Sequence, residues 1–467
     1  MNQHCKTKVI IDQLAIAPSC ELSDIFQHFA HQPWAMLLDS ATNQHIDARF
    51  DIMVAQPIAT ITTRQQQSTV WQQYAQGYSS TANPLILLEN LQSELFVNCA
   101  AADELYSELP FLVGALGYFA YDLGRRFETL PEQHTAAYDS PDMAVGLYTW
   151  SVIKDRHNGH FFYCRLDNNP VFAAQHFEQL ALKTKPTTAF SLTSPWQANV
   201  SESQYHSKLQ QIDDYLRAGD CYQINFAQRF SAQYTGDEWQ AYLALREANQ
   251  APFSAFIKLP DNSILSISPE RFLSLKNGKV QSKPIKGTRP RSADPLCDQQ
   301  AIEELLKSDK DRAENLMIVD LLRNDLSKHC QPHSVEVPAL FKIESFAAVH
   351  HLVSTVIGRL DEHSTAYSLF QGAFPGGSIT GAPKIRAMQI IDELEAHKRN
   401  IYCGSIAYFG IRQDMDSSIC IRTLLCENNN IYCWAGGGIV LDSVASEEYQ
   451  ESLDKVSKIL PLLNQLA

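Results

Sequence analysis

Apolar and polar residues alternate along this chain in two patterns, and each predicts a different kind of element. A helical repeat with one apolar face predicts helices from Ser203 to Ala218, from Trp239 to Asn249 and, at greater length, from Asp309 to Ser327. The same repeat predicts helices from Pro383 to Glu395 and from Glu447 to Leu463. Short β-like runs occur at Leu85 to Leu88, Phe111 to Tyr121, Val145 to Ile153, Ser263 to Ile267, Gly404 to Gly410, Ser418 to Cys426 and Ile431 to Gly436. Interspersed helices and many strands indicate an α/β or α+β architecture, with large sheets covered by helices. The composition shifts between Thr184 and Ser203, where Lys185-Pro186-Thr187-Thr188 and Ser194-Pro195-Trp196 mark a linker or long loop. No internal repeat or low-complexity tail interrupts the pattern.

Composition narrows the picture. A chain of 467 residues with 45% hydrophobic content can bury a large core, in two or three domains as a soft expectation. The formal charge of −14 argues against nucleic acid or an anionic membrane surface as the main partner. No run approaches the roughly 18 apolar residues of a membrane span. Near the start, Asp12 and Gln13 split Val9-Ile10-Ile11 from Leu14-Ala15-Ile16, which leaves no signal-peptide core. The 11 cysteines include no Cys-x-x-Cys pair and read as reduced thiols, so a soluble, cytoplasmic protein is expected.

Several residue groups are candidates for chemistry. Pro284-Ile285-Lys286-Gly287-Thr288 reads as a strand end passing into a rigid turn, and Ser268-Pro269-Glu270-Arg271-Phe272 closes an earlier β-like run. On neighbouring strands, Lys286 could act as a nucleophile and Glu270 as an acid; two surface charges are the plainer alternative. Glu448, Glu451 and Lys455 share one face of the last helix. Two crowded carboxylates suit Mg²⁺, with Glu314 as a further ligand, whereas a solvated face with a Glu451–Lys455 ion pair is the alternative. The stretch from Gly372 to Lys384 is glycine-rich and opens a helix, but it lacks the Gly-Lys-Ser/Thr ending of a P-loop. Its helix amino terminus suits an anion, or it is a structural turn. Arg422 lies in an apolar strand and needs an anionic partner. Gly436-Gly437-Gly438 would let backbone amides approach a carboxylate, and the Tyr402 hydroxyl could bond one.

Pro-Ile-Lys-Gly-Thr, with the glutamate of Ser-Pro-Glu-Arg-Phe upstream, resembles the aminodeoxychorismate synthase component I branch of the anthranilate synthase component I / chorismate-utilising enzyme family. The resemblance covers the carboxy-terminal part strongly and the amino-terminal part more loosely. It implies an α+β fold, an αββα sandwich of two large, mainly antiparallel sheets. It also implies an amino-terminal region, residues 1–195, and a chorismate-binding catalytic region, residues 196–467. Transferred to this numbering, Glu314 and Glu451 hold Mg²⁺ and Glu448 is a water-mediated partner. Ser378 stands beside the chorismate ring and His351 is the active-site histidine. Tyr402, Arg422, Gly437, Gly438 and Lys455 belong to the substrate cradle. Ser40, Pro252 and Phe253 fall in two segments that form an amino-acid pocket in relatives, with tryptophan as a candidate occupant.

The implied reaction joins chorismate and ammonia into 4-amino-4-deoxychorismate for 4-aminobenzoate and folate. Lys286 would take C2 first, directing nitrogen to C4, and Glu270 would protonate the departing hydroxyl. In anthranilate-forming relatives the lysine position is typically alanine. The amine must be uncharged to attack, so burial or the nearby cations Lys283, Arg289 and Arg291 are expected to depress its pKa. No glutamine amidotransferase signature is present, so a separate glutamine amidotransferase subunit is the expected ammonia source. Anthranilate synthase component I and a non-catalytic scaffold for the glutaminase are the rival readings.

Overall fold

Burial along the strands decides the architecture. Asn262–Ser268 and Gly114–Phe119 are buried at every position, so both faces must be covered. In the computed structural model, which describes residues 7–41, 45–97, 99–100, 106–131, 138–168, 171–345 and 349–466, two sheets supply that cover. One has 14 strands and the other 12 among the described residues, and nearly all pairings are antiparallel. Ile257 and Ile264 of the first sheet share a core with Leu116 and Ile406 of the second. Outside the first sheet, Phe26, Trp239 and Tyr242 of the helices Leu22–Phe26 and Glu238–Asn249 form a second core. The helices Glu202–Ala218 and Lys384–Leu394 close a third core against Ile224, Phe226 and Ile439. Helix Asp309–Ser327 lies on the 12-stranded sheet. The fold is the α+β sandwich, helices outside and two sheets within.

Segments on either side of residue 195 share both sheets. Met36–Asp39 pairs with Phe253–Lys258, and Gly114–Phe119 pairs with Ser405–Gly410. No helix among the described residues is long and apolar enough to cross a membrane.

The long helix starts and ends where its sequence indicates. The Ser308 side chain caps it by accepting from the Asp311 amide, and Asp309 and Asp311 place negative charge in the first turn. Five expectations fail for identifiable reasons. Val145 to Ile153 is two strands, Met143–Tyr148 in the 12-stranded sheet and Trp150–Asp155 in the other, because the chain changes sheet at Thr149. Leu85 to Leu88 belong to the helix Pro84–Leu95, whose Asn83 side chain caps the amides of Leu85 and Ile86. Ser418 to Cys426 is two strands, Met415–Ile419 in the 12-stranded sheet and Thr423–Glu427 in the other. The chain changes sheet between them, and Arg422 there takes a left-handed backbone conformation, φ 51°. The last strand, Asn430–Ile439, runs through the glycines instead of ending before them. A Cβ on Gly436 would lie 2.0 Å from the Phe226 carbonyl oxygen, so that crossing needs glycine. The final helix is two, Ala445–Asp454 and Leu460–Asn464, with Pro461 in the first turn of the second, where its missing N–H costs nothing.

Candidate active site

Lys286 lies in the strand Ile285–Pro290, while Glu270 lies just before Arg271–Lys276. These strands are not neighbours, because Lys279–Ser282 and Val349–Arg359 intervene in the sheet. The two side chains meet through another element. The short turn Gly377–Ile379 brings in Ser378, whose carbonyl oxygen accepts from Lys286 Nζ at 3.4 Å and whose Oγ donates to Glu270 Oε1 at 3.1 Å. Glu270 is buried, and burial pushes its pKa up to about 7 against the opposing influence of Lys286 and the Ser378 bond. It can therefore hold a proton near neutrality and release it to a substrate.

Lys286 is half-buried, and its charge acts on Glu270, Glu314 and Glu451 alike. The cations expected to press on it are engaged elsewhere. Lys283 pairs with Asp47 and Glu344, Arg289 with Asp311, and Arg291 with Asp298.

Three glutamates gather beside this group. Glu314 is half-buried on the long helix, and loss of water raises its pKa. Glu448 and Glu451 reach the last strand together. A Cβ on Gly437 would lie 3.3 Å from Glu448 Oε2, 3.5 Å from Glu451 Oε1 and 3.6 Å from Lys455 Nζ. Glycine at 437 thus leaves open a cradle lined by carboxylate oxygens, the donor type a hard divalent cation takes. Lysines hold both glutamates: Lys310 Nζ is 3.3 Å from Glu448 Oε1, and Lys455 Nζ is 2.7 Å from Glu451 Oε1. Burial works to raise the Glu451 pKa, but Lys455, Lys310 and Lys286 bring it below the ordinary carboxylate value. The Glu451–Lys455 ion pair of the alternative reading is present, within the cradle. Among the described residues, the one set of three ligand-type side chains with atoms all within 4.8 Å of one another is His45, Asp47 and Glu344. Lys283 and Arg271 already neutralise its carboxylates.

The substrate-side candidates fall into two groups. Arg422 is half-buried at the sheet change, and loss of water alone draws its pKa down. Among the described residues no carboxylate reaches it, so an enclosed guanidinium is held ready for an anion. His351 faces the same region: the Arg422 charge acts on it, and its Nδ1 lies 2.8 Å from Thr288 Oγ1. Burial, with Arg422 adding to it, lowers the His351 pKa to about 3, so the ring is neutral at physiological pH. Tyr402 is buried in the wall, its ring stacked on Trp434 with centroids 6.2 Å apart. Lys455 also bonds the Gly436 carbonyl oxygen at 2.8 Å. The amino end of helix Lys384–Leu394 does not face the cradle. Lys384 pairs there with Asp325, at 2.7 Å, in a separate cleft that Leu321 and Phe374 also line.

The residues expected to form an amino-acid pocket come together. Ser254 opposes Asp39, which places Phe253 beside Ser40 across the strand pair, with Pro252 next in the chain. The Ser40 amide bonds Asp51, and the Arg271 guanidinium covers the Phe253 ring at 5.1 Å.

Two contributors escaped the sequence reading. Gln223 is fully buried, and its amide nitrogen sits 2.2 Å from where a Gly438 Cβ would be; neither amide atom has a protein partner among the described residues. Its signal was a polar residue within the buried run Gln223-Ile224-Asn225-Phe226. Arg399 braces the site by donating to the carbonyl oxygens of Ile379 and Asn225, each at 2.9 Å, and to Glu395, while its guanidinium lies over the Tyr402 ring. A Glu395–Arg399 spacing reads as a surface pair, so nothing marked it in advance.

Comparison with known proteins decides the family. The model of the chorismate binding enzymes matches residues 35–461. This chain belongs to that enzyme family. Among its relatives, aminodeoxychorismate synthase component 1 of Klebsiella aerogenes is 52% identical over 93% of this chain and 95% of its own length. The protein of the same name from Escherichia coli is 50% identical over 94% and 95%. The designation "component 1" implies a partner component for those relatives. The crystal structure of anthranilate synthase component I from Streptococcus pneumoniae superimposes with a TM-score of 0.76 at 30% identity, covering 90% of this chain and 94% of that one. A menaquinone-specific isochorismate synthase from Escherichia coli shares the fold at a TM-score of 0.72 and 16% identity, over 98% and 95% of the two chains.

Proposed function

We propose that this chorismate-binding enzyme converts chorismate and ammonia to 4-amino-4-deoxychorismate, the precursor of 4-aminobenzoate and folate. The observation that carries the reading is the meeting of Lys286 and Glu270 on Ser378, an amine and an acid with a pKa of about 7 held by one residue. The relatives that share half or more of its residues bear the corresponding name.

The uncharged amine of Lys286 attacks C2 of the ring. Both ring double bonds shift, C1=C2 to C1=C6 and C5=C6 to C4=C5, the C4–O bond breaks, and the oxygen leaves as water with the proton of Glu270. The new ammonium at C2 returns a proton to the Glu270 carboxylate. Ammonia then attacks C4, both ring double bonds shift back, and the C2–N bond breaks. Its electron pair returns to Lys286, and a proton passes from the incoming nitrogen to the departing one. The sum is one ammonia taken up and one water released, with both side chains restored. Arg422 grips a substrate carboxylate, and neutral His351, oriented by Thr288, bonds the substrate without adding charge.

The cradle over Gly437, where Glu448 and Glu451 meet, suits Mg²⁺; Glu451 and Glu314, on which the Glu448 charge acts, would be the ligands, with Glu448 nearby. Bound there, the ion would draw electron density from C2 through a ring carboxylate. A separate glutamine amidotransferase supplies ammonia, the cytoplasm is the proposed compartment, and tryptophan is the proposed occupant beside Ser40, Pro252 and Phe253.

The test is mass spectrometry of the purified chain given chorismate and Mg²⁺ without ammonia. An adduct of chorismate less water, mapped to Lys286 and discharged to 4-amino-4-deoxychorismate by ammonium, is expected. Anthranilate as the product, or full-rate 4-amino product from Lys286→Ala, would overturn the reading.

A further inference from the structure

The glutamates of the cradle are already balanced by side chains. Lys310 lies 3.3 Å from Glu448, Lys455 lies 2.7 Å from Glu451, and the Lys286 charge acts on Glu314 and Glu451. A divalent cation entering this group competes with these lysines for the same carboxylate oxygens. The three lysines differ in how firmly they are held.

Lys455 is fixed at two points, Glu451 Oε1 at 2.7 Å and the Gly436 carbonyl oxygen at 2.8 Å. Lys286 is half-buried against the Ser378 carbonyl oxygen. Among the described residues Lys310 makes one ion pair, 3.3 Å to Glu448 Oε1, and its side chain is 44% exposed against 4% for Glu448. Glu448 does not depend on it for position, because Ser443 Oγ donates to the same oxygen at 2.6 Å. Lys310 also lies one helical turn before Glu314, on the same face of Asp309–Ser327. The carboxylates of Glu448, Glu314 and Glu451 together raise its pKa over the opposing effect of burial, so all three act on this ammonium.

We propose that Lys310 is the resident counter-ion of the cradle: it occupies Glu448 in the free protein and swings into solvent when a divalent cation binds. Cation affinity without substrate is thereby held down, and the long stem of Lys310 gives the ammonium somewhere to go. This rests on the reading that Glu314 and Glu451 take the cation.

Binding of Mn²⁺ alone, followed by the electron paramagnetic resonance of the free ion in the absence of chorismate, tests it without reference to turnover. Lys310→Met should bind Mn²⁺ about fivefold more tightly than the wild-type chain, the size of one partly exposed ion pair. Lys310→Arg, which keeps the charge, should match wild type. Equal or weaker binding by Lys310→Met would overturn the counter-ion role while leaving the cradle intact. The doubly substituted Glu314→Gln, Glu451→Gln chain separates the underlying reading. If it binds Mn²⁺ as wild type does, the cradle is elsewhere and both claims fall. Absence of binding in wild type and Lys310→Met alike also removes both, whereas binding gained only in Lys310→Met supports the proposal.

Discussion

Ser378 donates its hydroxyl hydrogen to Glu270, Oγ to Oε1 at 3.1 Å, and this bond opposes the rise that burial imposes on the Glu270 pKa. Burial raises the Glu270 pKa to about 7, and the Lys286 charge and the Ser378 bond both oppose that rise. A group that must donate a proton works below its pKa, so kcat/KM should fall as pH rises through about 7. Ser378→Ala removes a bond that favours the carboxylate. Its alkaline limb should therefore move to higher pH even as turnover drops, and a pH profile of kcat/KM for both proteins checks the direction.

Glu270→Gln keeps the size of the side chain and loses the proton. Turnover should fall about 10²- to 10⁴-fold, the usual share of a general acid, and the alkaline limb should vanish. Steady-state formation of 4-amino-4-deoxychorismate measures both. A variant that keeps the limb would assign the titration to another group.

Arg422 predicts opposite effects on binding and stability. Replacing it with Met should raise the KM for chorismate about 10- to 100-fold, through loss of a charge-assisted hydrogen bond. The same change relieves the free protein of an enclosed, unpaired guanidinium, so its Tm should rise. Calorimetry beside kinetics reads the pair. A lower Tm would mean that Arg422 is structural.

Gly437→Ala places a methyl group 3.3 Å from Glu448 Oε2 and 3.5 Å from Glu451 Oε1. The Mg²⁺ concentration for half-maximal activity should rise about 10- to 100-fold, as when the surroundings of metal ligands are disturbed. Far-ultraviolet circular dichroism should not change. An unaltered Mg²⁺ requirement would place the cation away from the last strand.

The sequence made the regular elements legible where local signals agreed. Asp309 to Ser327 carried an unbroken helical repeat, and its bounds match the structure, where Ser308 caps it. Ser418 to Cys426 misled because apolar character says a segment is buried, not which sheet holds it; the change of sheet at Arg422 is a tertiary event. The same limit governed the site. The Pro-Ile-Lys-Gly-Thr motif marked Lys286, but the residue joining it to Glu270 arrives from the turn Gly377–Ile379, far along the chain. Gln223 and Arg399 carried no local signal strong enough to separate them from ordinary polar residues. Their roles arise from strand and helix contacts that only the assembled fold creates.

The pairing of Phe119 with Ser405, and of Asp39 with Ser254, has a consequence for synthesis in the cell. Neither sheet can close until the ribosome has released the distant partner strands, so the emerging amino-terminal segments must wait with apolar edges uncovered. Chaperone dependence during translation, and late, all-at-once acquisition of protease resistance, are what this interleaving entails.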